Sequence, residues 1–400
     1  MGWLVEGHAC IFLPMTAVIP LFVFFSLATP SQAATLDAGT SFQQIAKQAD
    51  AARSANRPSD AIALYSQGVR LRPSWSEGWW WLGSLLYDQE RFAQAQPAFK
   101  RFIETGQKTA PGYAFLGLCE YETRDYDHAL AHFQVWAKKG SPGNDALLDV
   151  AGFHWALLLT REGRFNEALY LLGAKAEKLR SSPPLVEAMG LASLRMRNLP
   201  DDYPPEKREV VWLAGKAAYY SAINANRPAV DYANRLLLHH SSEPNVHFFR
   251  GTLFAFQSEP EIAQREFQEE LRISPESVPS MIELAIAYND DSQADKALPV
   301  AERAISLEPR NPRAHYALGS ALLATGRSKE SATQLEMAKR LAPDSALIRF
   351  SLAKAYRALG RSAEANRESA AFLALKDKQE VLGTPKEKPA APKQAGPKKL

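Results

Sequence analysis

LRISP (271–275), ISLEP (305–309) and KRLAP (339–343) each end on a proline, and Pro275, Pro309 and Pro343 stand 34 residues apart. The interval persists upstream of each proline. Gly251, Ala285 and Gly319 hold one small position; Ala263, Ala297 and Ser331 hold a second. Phe267, Ala301 and Leu335 follow, then Glu270, Ala304 and Ala338. A fixed period of this length marks a unit that cannot bury its apolar face alone and must stack on copies of itself. Proline at the end of each phrase stops a helix, because it lacks the N–H that would continue the ladder.

The pattern extends outward from these units. Residues 76–109 carry Trp79, Leu82, Gly83, Ala95 and Phe99. Residues 110–143 carry Tyr113, Leu116, Gly117, Tyr126, Ala129 and Phe133. Residues 149–182 carry Trp155, Ala156, Phe165, Ala168 and Leu172. Ala61, Tyr65 and Pro73 fall in register in 42–75, as do Leu352, Ala353, Tyr356, Gly360 and Ala365 in 346–379. In each unit a first helix, A, uses its small residue to approach a second helix, B. Phrases such as QERF, TRDY, ATGR and ALGR separate the two, with glycine or a polar residue ending helix A. The chain resembles the tetratricopeptide repeat family over residues 42–379. The resemblance implies an all-α fold, a right-handed α-solenoid of about nine helix-turn-helix units.

The resemblance also implies where a partner lies. In this family helix A lines the concave wall, and the second, fifth, ninth, twelfth and thirteenth positions of a unit face it. The matching residues here are Trp80, Tyr87 and Asp88, then Leu118, Tyr121 and Glu122, then Phe248 and Phe256. Further along come Ile282, Asn289 and Asp290, then Arg313 and Tyr316, and finally Phe350, Lys354 and Arg357. Aromatic residues at wall positions suggest binding because core packing does not demand them, and they are enriched in hot spots. The expected groove site is Trp80, Tyr87, Tyr121, Phe248, Phe256, Phe350, Lys354 and Arg357. In the run Trp79-Trp80-Trp81, neighbours point about 100° apart. Trp79 is then expected in the core, Trp80 at the groove and Trp81 against an adjoining unit. The Lys/Asn/Arg carboxylate clamp found in some members is not reproduced around Lys354.

The register breaks at 183–209. Residues 185–199 look like a helix A without its helix B, and Pro200, Pro204 and Pro205 crowd the stretch after it. The expected division is repeats at 42–195, a Pro-rich interruption at 196–209 and repeats at 210–379. Either a distorted continuous stack or two sub-solenoids fits, and the continuous stack is preferred.

Both ends read differently from the array. Residues 11–28, IFLPMTAVIPLFVFFSLA, are uncharged, and Ser31-Gln32-Ala33 fits a small-x-small cleavage pattern. Residues 1–34 are read as a signal peptide or an N-terminal membrane anchor, since about 18 apolar residues lie at the lower limit for spanning. Glu6 and the lack of Lys or Arg ahead of the apolar run leave both open. An extracytoplasmic location, periplasmic or secreted, is the expectation, with anchoring through 11–28 as the alternative. Residues 383–400 hold four prolines and five lysines, which predicts a disordered tail.

A search for chemistry returns nothing specific. HExxH and GxSxG are absent, and Gly215-Lys216 lacks the earlier glycine of a phosphate loop. His128 and His132 share one helix face, but no third zinc ligand is placed. His239-His240 ends a helical stretch, where imidazole meets terminal carbonyls. Of two cysteines, Cys10 lies in the N-terminal segment; if that segment is removed, Cys119 alone remains, read as a small apolar residue packed in a helix, and no intrachain disulfide is possible. A net charge of +3 argues against a nucleic-acid partner. The expectation is a non-catalytic scaffold or adaptor of the cell envelope, binding a protein or peptide in its groove without cofactor or metal. The alternative is an accessory subunit presenting substrate to an envelope enzyme or transport system.

Overall fold

The computed structural model describes residues 42–106, 108–139, 146–200 and 202–382, with side chains omitted at 146–148 and 377–382. The expected signal peptide or membrane anchor at 1–34 and the expected disordered tail at 383–400 lie outside the described residues. The described chain is all-α and forms an α-solenoid, with no strand.

Four A/B pairs come first: α1 (Phe42–Ser54) with α2 (Pro58–Leu71), α3 (Ser76–Asp88) with α4 (Phe92–Glu104), α5 (Ala110–Glu122) with α6 (Tyr126–Lys138), and α7 (Ala146–Arg161) with α8 (Phe165–Gly173). A short α9 (Ala176–Leu179) and an unpaired α10 (Pro183–Ser193) follow. Five further pairs then run in 34-residue register. They are α11 (Arg208–Ala222) with α12 (Asn226–His240), α13 (Val246–Phe256) with α14 (Pro260–Ile273), α15 (Val278–Asp290) with α16 (Ala294–Leu307), α17 (Pro312–Ala324) with α18 (Ser328–Leu341), and α19 (Ala346–Ala358) with α20 (Ser362–Leu382).

The punctuation has two parts. Helix B ends at Leu71, Ile273, Leu307 and Leu341, two residues before Pro73, Pro275, Pro309 and Pro343. Helix A ends on a left-handed residue in all nine pairs: Asn56, Glu90, Arg124, Gly163, Asn224, Ser258, Ser292, Gly326 and Gly360, with φ between 53° and 80°. The next N–H closes the turn onto the carbonyl five residues back, as in Arg91 N to Leu86 O (2.9 Å) and Arg361 N to Tyr356 O (2.9 Å). Only three of the nine are glycine. The other six hold a conformation that a side chain disfavours by about 1 kcal/mol, overridden by packing on both sides.

Within a pair, the small position of helix A receives a large side chain of helix B. The ring of Phe99 lies where a Cβ on Gly83 would stand (2.9 Å); Phe133 does the same to Gly117 (2.8 Å) and Phe267 to Gly251 (2.6 Å). Phe99, Phe133 and Phe267 are fully buried. Where the small residue is alanine, as at Ala285, its partner Ala301 is small as well. Volume is conserved across the contact, which is what dense cores tolerate.

The Pro-rich stretch does not interrupt the core. α10 has no helix B, and α11 packs directly on it. Gly190 of α10 faces the Val211 carbonyl, and Gly215 of α11 faces the Val186 carbonyl; a Cβ would stand 2.0 and 1.8 Å from those oxygens. α11 therefore takes the missing helix B's place on α10 while serving as helix A for α12. One apolar cluster runs from Ala156 to Leu253 across the junction. Residues 194–200 and 202–207 run in turns and a 3-10 turn, pinned by Tyr203 donating to Glu187 (2.5 Å) and Asn198 donating to the Asp202 carbonyl (2.6 Å).

Successive A helices touch, as α5 with α7, α13 with α15 and α15 with α17, whereas no two successive B helices pack to a similar degree. The A row is thus the shorter, inner side of the curve.

Candidate functional site: the inner wall of A helices

The aromatic wall residues fall into two groups. Several are core. Trp80 is half-buried against Phe99 (5.8 Å), Phe102 (5.0 Å) and Phe115 (5.3 Å), ring centre to ring centre. Tyr87 is buried and meets Phe92 and Phe115 edge-on. Leu118, Ile282 and Phe248 are buried too. The expectation that core packing does not demand rings at wall positions is thereby corrected. Phe115 of the next A helix inserts between Trp80 and Tyr87, so these rings weld α3 to α5. Trp79 donates its indole N–H to the Pro73 carbonyl (2.8 Å), and Trp81 lies under the Arg53 guanidinium of the preceding pair (3.8 Å).

Tyr121 is half-buried against Tyr126 and His154 (4.5 Å). His154 donates its Nδ1–H to the Val150 carbonyl (2.9 Å), and its Nε2 lies 3.8 Å from Glu122. Burial lowers the His154 pKa, favouring the neutral ring. Towards the other end, Phe350 packs on Phe372 (5.3 Å) under the Lys354 ammonium (4.9 Å), and Arg357 donates to Ser369 (2.6 Å). Lys354 and Arg357 are exposed, and so is Phe256, at 58%. The eight expected site residues are thus spread along the wall and do not converge on one pocket.

Charge separates the two rows. At the start of the outer helices, arginine and acid three residues apart neutralise each other: Arg57 with Asp60, Arg164 with Glu167, Arg327 with Glu330 and Arg361 with Glu364. Three inner helices end instead on an acid with no arginine paired to it. Asp88 closes α3, Glu122 closes α5 and Asp290 closes α15, each at a helix C-terminus, where a negative charge is disfavoured. Asp88 and Asp290 have no hydrogen bond or ion pair among the described residues. All three carboxyls are held above their ordinary values: by the wall displacing water, and secondarily by Glu90 at Glu122 and by Glu283 at Asp290.

The sequence reading missed Arg195. It follows α10 in a left-handed turn (φ 55°), where the register is lost. Its guanidinium lies between the rings of Phe165 (4.7 Å) and Phe248 (5.2 Å). Beside it an open cavity of about 200 Å³ is lined by Gly163, Arg164, Phe165, Asn166, Glu167 and Arg195.

Among the described residues no group of three or more potential ligands could hold a metal, and no helix is long and apolar enough to cross a membrane. His128 is taken by Asp125 (2.8 Å) and His132 by Glu120 (2.7 Å). Cys119 is fully buried, and burial pushes its thiol pKa up, as an inert packing role requires.

The tetratricopeptide repeat family model matches residues 46–91, 82–145 and 282–346. Solved structures similar to the chain include "MamA RS-1 ArsTM double mutant", at 17% identity over 44% of this chain and 98% of that one (TM-score 0.38). "MamA 41-end from Desulfovibrio magneticus RS-1" aligns at 17% identity over 43% and 98% (TM-score 0.38). YrrB, titled "a TPR protein with an unusual peptide-binding site", aligns at 17% identity over 44% and 91% (TM-score 0.35). No curated protein matches the chain.

Proposed function

We propose that the chain is a non-catalytic scaffold holding a segment of a protein partner along its A-helix wall, a reading supported by the tetratricopeptide repeat matches at 46–91, 82–145 and 282–346. One observation carries the reading: arginine and acid pair at the start of outer helices, whereas Asp88, Asp290 and Arg195 have no hydrogen bond or ion pair among the described residues. Folding gains nothing from acids at helix C-termini, so their recurrence on one wall fits recognition.

The scaffold acts outside the cytoplasm in this reading, because the uncharged run 11–28 with Ala33 downstream suits export or anchoring. Crosslinking in native cells, followed by identification of the bound protein, tests the whole. Phe256→Ser and Lys354→Glu alter exposed wall positions and should each reduce recovery several-fold at unchanged thermal stability. Unchanged recovery with both variants would remove the wall from the binding site. Recovery of an envelope enzyme or transporter would assign the substrate-presenting role. Fractionation of the tagged chain tests location, and a wholly cytoplasmic pool would overturn that part.

A further inference from the structure

Arg195 is held by the fold and left with nothing to bind. Its guanidinium carbon lies over the rings of Phe165 of α8 (4.7 Å) and Phe248 of α13 (5.2 Å), two cation–π contacts that hold the group in place. Its N–H edges make no hydrogen bond or ion pair among the described residues. The residue is only half-buried, so those edges are reachable from the cavity beside it. Burial disfavours the charge; Arg197 and Arg313 add to that, and Glu283 and Glu308 oppose it.

The charges around the cavity do not supply the missing anion. Arg164 and Glu167 bind each other through two hydrogen bonds (2.8 and 2.6 Å). Glu283 accepts from Arg313 (2.5 Å), and Glu308 accepts from Asn311 (2.7 Å). Arg197 lies over Gly163 at the rim as a second cation, exposed and with no ion pair among the described residues. There remains a positive site with one pre-positioned fork of donors. A planar carboxylate fits that fork through two parallel N–H···O bonds.

We propose that the cavity beside Arg195 receives an acidic side chain, Asp or Glu, of the partner segment lying along the A-helix wall, a proposal that rests on the groove reading above. Arg195 touches Phe248, a wall position of α13, and the A helices pack onward from there to α15 and, on the other side, from α7 to α5. A segment following the wall therefore presents an internal residue there, not its terminus. The competing account is a purely structural staple, Arg195 tying α8 to α13.

The full chain should be titrated with three labelled ten-residue peptides of one Ala/Leu/Tyr background. The first carries two Glu with both ends blocked, the second carries Gln at those positions, and the third is the Gln peptide with a free C-terminal carboxylate. The blocked Glu peptide should bind about tenfold tighter than the blocked Gln peptide. Arg195→Gln should reduce that preference below about twofold, and Phe165→Leu, which keeps apolar volume but removes one ring face, should weaken it about threefold. Arg195→Lys keeps the charge and loses the fork, so it should retain only part of the preference. Equal binding of Glu and Gln peptides overturns the proposal, as does a preference that survives Arg195→Gln. The third peptide matching the first would assign the site to a chain terminus instead. Weakening of all peptides together with a lower melting temperature in Arg195→Gln would establish the staple. Binding of neither blocked peptide overturns the carboxylate receptor, while the groove reading stands or falls separately on partner capture with Phe256→Ser and Lys354→Glu.

Discussion

Several regular helix pairs and the α10–α11 junction use glycine for the same purpose against different atoms. In the regular pairs the glycine of helix A accommodates a side chain: Phe99, Phe133 or Phe267 fills the space. At the junction, Gly190 and Gly215 accommodate backbone, the carbonyls of Val211 and Val186. A ring can tilt by a few tenths of an ångström, whereas a helix carbonyl cannot move without its helix. The regular contact is therefore a matter of volume and the junction a matter of backbone approach. The inner wall differs in parallel. Regular A helices α3, α5 and α15 end on acids, while the turn after the junction helix carries Arg195. A lost helix B brings two helices closer, and the same break places a cation, Arg195, in the turn after α10.

The comparison breaks most sharply at Gly190. Gly190→Ala forces a methyl onto the Val211 carbonyl, so α10 and α11 must separate along a core that runs from Ala156 to Leu253. The expected loss is about 3 kcal/mol or more, or failure to fold, since the change combines overpacking with a backbone shift. Chemical denaturation measures it; a loss under about 1 kcal/mol would show that the helices slide freely. Gly117→Ala should lose less, about 1–3 kcal/mol, because only the Phe133 ring must yield. Here a smaller partner should help: Phe133→Leu in the Gly117→Ala background should recover stability relative to Gly117→Ala alone. No smaller side chain rescues Gly190→Ala, because the obstacle is a carbonyl. If the double variant is as unstable as the two losses summed, the volume account of regular pairs fails. Smaller again is Arg124→Gly. Arg124 holds a left-handed turn (φ 62°) without the freedom of glycine, and the exchange should stabilise by about 1 kcal/mol. A lower melting temperature would show that its side chain contributes more than the turn costs.

The legible features are those set by local forces. Pro275, Pro309 and Pro343 stop helices wherever they stand, so the period and the pairing could be read directly. Gly83 and Gly117 were legible as small positions because the same packing recurs. The left-handed turns at Glu90 and Arg124 were not, since the chain states no preference for φ above zero at such residues and the tertiary stack imposes it. Trp80 and Tyr87 were readable as wall positions but not as core, because Phe115 closes on them from the next repeat. Arg195 was invisible: its position has no register, and its ring partners come from two separate repeats.

The wall half of the comparison is sharpened by the smallest effect. Asp290 ends α15, beside Glu283 and without a cationic partner among the described residues. Its folded pKa is raised above the ordinary 3.8, first by the wall displacing water and then by Glu283. The folded chain therefore holds this proton more tightly than the unfolded chain. In the window that opens near the unfolded value and extends upward, the native state binds more protons, so the stability linked to this group falls as pH rises. At pH 7 the ionised Asp290 opposes folding. Asp290→Asn should then stabilise by ~0.3 kcal/mol after allowance for solvent screening, and the gain should vanish below about pH 4, where both forms are neutral. Melting temperatures of the native chain and the variant at both pH values test the sign. The same variant should bind the partner less well if the carboxylate exists for recognition. A variant less stable at pH 7 would mean that Asp290 is satisfied within the wall, and the contrast between self-neutralised outer helices and unpaired inner ends would fail at this repeat.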